Sequence, residues 1–414
     1  MDVTLKIIEI LPPFDLIASL LGDSSIELIV INNFFEIVNQ FKSTGKVDEK
    51  SLDETLMMMA SIKDHLWEII NTGHFSKVNK LHRQIFTLTS LQKAVLLLIK
   101  GSHKKMDLNE ASMWELDNGL LLGCPLSHPD HSDILNDCLT LMQCKNDCIE
   151  SETTIALDTK QDDRPMNDIC EIEIIERPSI HYFEQNHFNK SQPVILKNCM
   201  SQWPALSKWN KPSYLLEVCR NRVVPIEIGK NYTNENWSQD LVKFEDFFRR
   251  QFLENDETSI GSKKIEYLAQ HNLFDQIPAL KNDVSIPEYC CITNRTSDNE
   301  IDVDIKAWLG PEGTTSPMHI DEKNNLLCQV FGSKRIILAP PKDSINLYPF
   351  DGDMLKNTSQ IDAEHLDFDR FPLLANVKFY SFTLYKGEML YIPPKWWHFV
   401  RSLSKSFSVS FWWE

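Results

Sequence analysis

The hydrophobic pattern changes character once along the chain. Up to about residue 145, apolar residues recur at three- and four-residue steps: Ile7, Ile8 and Leu11, then Ile26, Ile29, Val30, Phe34, Ile37, Val38 and Phe41. That is the period of amphipathic helices. Further helices are predicted over about 52–71, 77–87 and 90–100, the first with Asp53 and Glu54 near the positive end of its dipole. Met57-Met58-Met59 reads as core filling, and no repeat of fixed period emerges. Over 148–170 the periodicity disappears and acidic, polar residues take over, among them Asp162-Asp163-Arg164-Pro165, so this stretch reads as a linker. From Ile172 onward the pattern is one of short β segments, predicted at 172–174, 193–196, 223–228, 305–309, 326–331, 334–338, 379–385, 389–392 and 397–400. Short helices are predicted at 212–218 and 244–252, and hairpin turns at Gly332-Ser333 and Lys386-Gly387-Glu388.

The last segment shows the alternation most plainly. Phe407, Val409, Phe411 and Trp413 share one face; Ser406, Ser408, Ser410 and Trp412 share the other. One face packs and the other lines something. The expected architecture is therefore α+β: an all-helical domain over 1–147, an acidic linker over 148–170, and over 171–414 a double-stranded β-helix of the jelly-roll type. With 414 residues, 42% of them hydrophobic, each part has enough apolar surface for a core.

Composition narrows the partners. A net charge of −17 argues against a broad nucleic-acid footprint and suits a basic protein segment. The 10 cysteines are scattered, with Cys290-Cys291 adjacent, which favours free thiols in a reducing compartment, nucleus or cytoplasm. The first twenty residues carry Lys6 as their one basic residue and are broken by Pro12-Pro13 and Asp15, unlike a signal peptide or a membrane span. His103-Lys104-Lys105 is too short for a nuclear-import cluster.

Candidate chemistry centres on Thr315-Ser316-Pro317-Met318-His319-Ile320-Asp321 together with His398 in a downstream hydrophobic strand. A His and an Asp two positions apart at a strand end face the same side. Two imidazoles and a carboxylate on one face leave the opposite positions of a metal open, the arrangement of a non-haem Fe(II) oxygenase. The dipeptide spacing alone decides nothing, since 12 His and 59 acidic residues give about 1.7 such pairs by chance and four occur, at His128, His131, His319 and His365. His319 differs in having strand patterns on both sides, a strand-borne histidine downstream, and Lys334 at the start of a neighbouring strand, where an ammonium could anchor the distal carboxylate of 2-oxoglutarate. Arg335 would face the other way. His128, His131, Cys144 and Cys148 match no common structural zinc spacing.

Three segments, Thr315 to Asp321, Val330-Phe331-Gly332-Ser333-Lys334, and Gly387 to His398 with its Pro393-Pro394-Lys395-Trp396-Trp397-His398 end, resemble the cupin-like Jumonji-C oxygenases. Tyr267-Leu268-Ala269-Gln270-His271, Asn357-Thr358-Ser359-Gln360 and Ser406 to Trp413 extend the likeness, which covers 177–414 well and the helical front end loosely. The resemblance implies Fe(II) held by His319, Asp321 and His398, 2-oxoglutarate bound through Lys334 with Tyr267, Ser316, Asn325 and Trp412, and O2 as the second cosubstrate. It further implies a pocket for a substrate arginine built from Glu227, Trp237, Gln270 and Trp308, an acid and indole faces being a sensible guanidinium receptor. The expected reaction splits 2-oxoglutarate to succinate and inserts oxygen at an aliphatic C–H of a protein arginine. The family is also linked to removal of methyl groups from histone lysine, and a catalytically vestigial cupin scaffold is the rival from another class. No direct nucleic-acid or membrane partner is expected, and the partner of the helical domain is not legible.

Overall fold

The computed structural model describes residues 2–21, 26–73, 77–142, 154–155, 170–229, 232–234, 236–254, 264–293, 302–352 and 355–414. The chain divides into two compact units, Met1–Asp147 with Asn221–Val223, and Cys148–Arg220 with Val224–Glu414. Most of the stretch read as a linker, and Cys144 and Cys148 of the histidine-cysteine set, lie outside the described residues.

The first unit is built from α1 (Val3–Glu9), α2 (Phe14–Leu21), α3 (Ile26–Thr44), α4 (Glu49–Asn71), α5 (Lys80–Lys104), α6 (Asn109–Leu122) and α7 (Ile134–Met142). Two predicted helices at 77–87 and 90–100 are one continuous α5. No Gly or Pro lies between them, and the Thr87 and Thr89 hydroxyls donate to the Arg83 and Ile85 carbonyls four residues back, so the polar residues there stay within the helix. By length and composition α5 could cross a membrane. Here Leu88, Leu91, Val95, Leu98 and Ile99 instead pack into the unit's core with Phe34, Val38, Leu52 and Leu116.

That core also encloses a charge cluster. Glu115 on α6 pairs with Lys63 on α4 and, at 2.8 Å, with Lys93 on α5, and Lys63 lies over the Phe86 ring. Burial pulls the Lys63 pKa down despite the Glu115 charge. Replacing Glu115 by alanine strands two ammonium groups and is expected to cost about 3 kcal/mol of unfolding free energy, read as a lowered urea midpoint.

Among the described residues the second unit carries the strands β1 (Ile174–Glu176), β2 (Val194–Lys197), β3 (Val223–Ile228), β4 (Ser238–Lys243), β5 (Glu266–His271), β6 (Asp304–Gly310), β7 (Thr315–His319), β8 (Asn324–Phe331), β9 (Ser333–Ala339), β10 (Tyr380–Tyr385), β11 (Glu388–Ile392), β12 (Trp397–Ser402) and β13 (Ser406–Trp413). They form a nine-stranded sheet in the order β1-β2-β11-β8-β13-β6-β5-β3-β4 and a four-stranded sheet in the order β10-β9-β12-β7. Leu327, Leu390 and Ile392 from the first meet Ile336, Leu338 and Val400 from the second in the layer between them. On β9, Ile337 and Ala339 belong to another core on the outer side, with Met318, Trp397 and Phe399. Both faces of β9 are thus covered, which explains its unbroken apolar run.

The predicted hairpins are not hairpins. β8 and β9 lie in different sheets, as do β10 and β11, so Gly332 and Gly387 mark corners where the chain crosses between layers. At Gly332, φ is +75° and a Cβ would sit 2.2 Å from the Lys405 carbonyl oxygen, so only glycine turns this corner. Lys334 therefore pairs with Leu384 of β10 and Ser402 of β12 rather than with β8. Sequence reading also missed β4, whose Ser238–Lys243 run is polar, half-exposed and lacks alternation. The predicted helix at 244–252 is present as a short α-helix, Phe244–Phe248, that continues as a π-helical Arg249–Leu253.

Candidate metal centre and cosubstrate cavity

His319 closes β7 and His398 opens the inner run of β12, and the two are direct partners across that antiparallel ladder. Their ring centroids are 4.1 Å apart. Each imidazole is aimed from within its own strand, because His319 Nδ1 lies 2.7 Å from the Pro317 carbonyl and His398 Nδ1 lies 3.0 Å from the Trp396 carbonyl. A carbonyl accepts only, so both Nδ1 atoms carry the proton and both Nε2 atoms keep the lone pair. These face Asp321, with His319 Nε2 3.9 Å from Oδ1 and His398 Nε2 3.5 Å from Oδ2.

Asp321 arrives there by a different route from the one its spacing suggested. β7 ends at His319, so strand alternation does not extend to residue 321. Instead Asn357 grips the intervening peptide, its carbonyl accepting from Ile320 N–H at 2.9 Å and its Nδ2 donating to the Ile320 carbonyl at 3.3 Å. On the far side Lys395 N–H donates to the Asp321 carbonyl at 2.7 Å. Lys395 adopts a left-handed φ of +65°, a strained choice for a side chain with a Cβ and one that tertiary contacts must hold. Neither anchor was legible: the Pro393-Pro394 pair announces a turn, but nothing says that the next residue would brace a ligand.

The donor set suits a cation. The three ligand atoms lie within 4.8 Å of one another, the one such group among the described residues. Asp321 Oδ2 is buried without a hydrogen bond, a costly orphan unless a positive centre meets it. Burial, reinforced by the charge of His398, presses the His319 pKa down to about 4. For His398, burial lowers the pKa, yet the Asp321 carboxylate 3.5 Å from Nε2 outweighs it and leaves the value raised. Burial alone would raise Asp321, but the two histidines hold it below the usual carboxylate range. One neutral imidazole, one basic imidazole and one carboxylate behind bare Nε2 atoms make a facial set for a divalent transition metal, and Fe(II) fits it.

Beside the triad lies an open-mouthed cavity of about 360 Å³, lined by Tyr267, Ser316, Asn325, Lys334, Trp308 and Trp412 as well as the three ligands. Lys334 is buried, and its Nζ donates to the Tyr267 hydroxyl at 3.1 Å. Burial lowers its pKa to about 7, with no carboxylate opposing the shift. Asn325 Oδ1 and Trp412 Nε1 are likewise buried and unpaired. A buried ammonium, an unpaired indole N–H and a phenol lining one cavity call for an anionic guest, and 2-oxoglutarate meets that demand. Close approach makes room: a Cβ at Gly310 would stand 2.6 Å from the Tyr267 ring.

Of the residues expected to hold a substrate arginine, Glu227 and Trp237 come together, the indole Nε1 donating to Glu227 Oε2 at 3.2 Å. Glu227 pairs with Tyr267 across β3 and β5, one strand from the cavity wall. Trp308 lines the cavity itself, with its N–H given to Ser410 Oγ at 3.0 Å. Gln270 sits exposed in a β-bulge of β5 at φ +50°. The His128 and His131 rings lie with centroids 5.4 Å apart and planes tilted by 38°, and His128 Nδ1 accepts from Asp130 N–H as a helix cap. His365 pairs with Asp362 on the surface.

Comparison with known proteins agrees with this geometry. The cupin-like domain family matches residues 181–414. The chain is 46% identical over 371 residues to Jumonji C domain-containing protein 5 of Drosophila melanogaster, covering 88% of each. It is 37% identical over 364 residues to lysine-specific demethylase 8 of Danio rerio, covering 85% of this chain and 86% of that one. With lysine-specific demethylase JMJ30 of Arabidopsis thaliana it shares 44% identity over 237 residues, 57% of this chain and 53% of the other. The first two matches are longer than 171–414 and so run into the helical part, further than the sequence motifs suggested. The chain belongs to the cupin-like Jumonji-C family of Fe(II)- and 2-oxoglutarate-dependent oxygenases.

Proposed function

We propose that the protein hydroxylates an aliphatic carbon of arginine side chains in basic protein segments. The observation that carries this reading is the Glu227–Trp237 pair one strand from the cosubstrate cavity. Burial raises the Glu227 pKa while the Trp237 hydrogen bond opposes the rise, so the carboxylate is costly to leave unpaired. A guanidinium would relieve that cost with parallel N–H donors, and the indole face would stack on its plane. The chain's net charge of −17 favours approach of basic segments, histone tails or other nuclear and cytoplasmic proteins among them.

Bound at His319, Asp321 and His398, iron would supply the oxidising equivalents drawn from O2 and 2-oxoglutarate. The residues of the chain position. Lys334 and Tyr267 would hold the distal carboxylate of 2-oxoglutarate, and Asn325, Ser316 and Trp412, which line the same cavity, would orient the rest of the keto acid. Leu327, Ile392 and Val400 exclude water from the same cavity. Holding the substrate C–H at a fixed place beside the metal is what sets which carbon reacts.

The test is mass spectrometry of basic peptides after turnover. A stable gain of one oxygen on arginine supports the reading; loss of methyl from Nε-methyl-lysine favours demethylation, the activity named for two of the relatives. No succinate under any condition would leave a vestigial scaffold. Glu227→Gln is expected to lower kcat/KM for an arginine peptide about a hundredfold, mainly through KM, while peptide-independent succinate formation persists. Because the Glu227 pKa is raised, peptide affinity should fall as pH drops through that raised value.

A further inference from the structure

Asp321 stands beyond the end of β7 and depends for its place on the Ile320 peptide, which Asn357 grips from both sides. The Asn357 amide oxygen accepts a hydrogen bond from Thr358 Oγ1 at 3.3 Å. Thr358 is buried, and its own backbone bridges to His319. Its single hydroxyl hydrogen is spent on Asn357, so the remaining contact at Thr358 Oγ1, the Tyr232 hydroxyl 3.2 Å away, must be donated by the tyrosine. The chain of donors has one direction: Tyr232 to Thr358 to Asn357 to the peptide between two metal ligands.

Tyr232 belongs to the connection between β3, which bears Glu227, and β4, which Trp237 immediately precedes. In the same connection the Asn234 carbonyl accepts from Trp237 N–H at 3.0 Å, tying the indole's backbone to the turn that carries Tyr232. Burial raises the phenol's pKa against the Thr358 hydrogen bond, and the Asp321 and Glu227 charges, both within reach of it, add to the rise. Both hydroxyl contacts, at 3.2 and 3.3 Å, are long for O–H···O bonds, whose usual length is nearer 2.8 Å. Bonds of this length have room to tighten when a ligand presses Tyr232 toward Thr358.

We propose that Tyr232 is a positioning residue: through Thr358 and Asn357 it couples capture of a substrate at the Glu227–Trp237 pair to the fixing of Asp321 at the metal. This rests on the arginine-pocket reading above. Substrate seated against Glu227 and Trp237 presses Tyr232 onto Thr358, shortens the relay and holds residue 320, so less of the cost of fixing Asp321 falls on the metal. By linkage, a filled metal site strengthens substrate capture by the same factor.

The experiment measures Mn(II) affinity by electron paramagnetic resonance in full-length protein with 2-oxoglutarate, with and without a peptide carrying one arginine between lysines. Peptide binding is followed separately by fluorescence anisotropy. In the wild type the peptide should tighten Mn(II) binding about fivefold, the factor of one net hydrogen bond. Tyr232→Phe should reduce that factor to below about twofold while leaving the peptide-free Mn(II) affinity within about twofold of wild type. Thr358→Val cuts the same relay at its second link and should do the same, and the double variant should lose no more than either alone. Should one variant fail to fold, the other carries the test. Tightening that survives in a folded variant overturns the relay. A peptide that binds without tightening Mn(II) overturns the relay and leaves the arginine reading standing, whereas a peptide that does not bind overturns both.

Discussion

Asp321→Ala should abolish iron- and 2-oxoglutarate-dependent succinate formation, by about a thousandfold or more, with or without a peptide. The expectation follows from the donor set. Asp321 is the one anionic ligand, its Oδ2 is buried and unpaired, and its charge keeps the His398 pKa raised against burial. Without it, two imidazoles alone face the ion, and Mn(II) binding should fall in parallel with turnover. Circular dichroism should remain that of wild type, because the alanine removes a buried unpaired oxygen and leaves in place the backbone bonds from Asn357 and Lys395. Turnover that persists at a tenth of the wild-type rate would show that the metal sits elsewhere.

The second large effect concerns Lys334. Lys334→Met should weaken 2-oxoglutarate binding about a hundredfold and yet raise the melting temperature of the ligand-free protein. The two results have one cause. Burial lowers the ammonium pKa to about 7, below its value in the unfolded chain. A folded pKa below the unfolded one means the protonated group opposes folding, in full below about pH 7, with the penalty fading as pH rises toward the unfolded value. Methionine has similar length and no such penalty. The same shift sets the pH dependence of the wild type. A bound carboxylate pulls the ammonium pKa back up, so above pH 7 binding takes up a proton, and affinity should fall by as much as tenfold per pH unit. Calorimetry in two buffers of different ionisation enthalpy measures that uptake directly. Binding that is flat between pH 6.5 and 8.5 would place the carboxylate away from Lys334.

What was legible in the sequence follows from how local each feature is. His319 and His398 stood out because each is fixed by its own strand, and the face of β13 carrying Ser410 and Trp412 announced itself by alternation over eight residues. The crossing of β8 into β9 was misread, since a Gly-Ser between two apolar runs looks the same whether the strands pair or part into different layers. Asn357, Lys395 and Tyr232 act over long separations through backbone groups or a single hydroxyl, and such contacts leave no periodic trace. Gln270 carries no such local signal either: motif likeness alone names it as a pocket residue, and it lies exposed in the bulge of β5.

Each metal-binding imidazole is latched by a carbonyl only two positions earlier in its own strand. The latches need nothing from the ion. An apoprotein stripped by a chelator should therefore retain a waiting socket rather than a collapsed one, and regain its cation at the speed of diffusion and dehydration, with no refolding phase. In a cell where ferrous iron rises and falls, such a protein would serve as a reversible reader of that supply, idle when iron is scarce and restored without new synthesis.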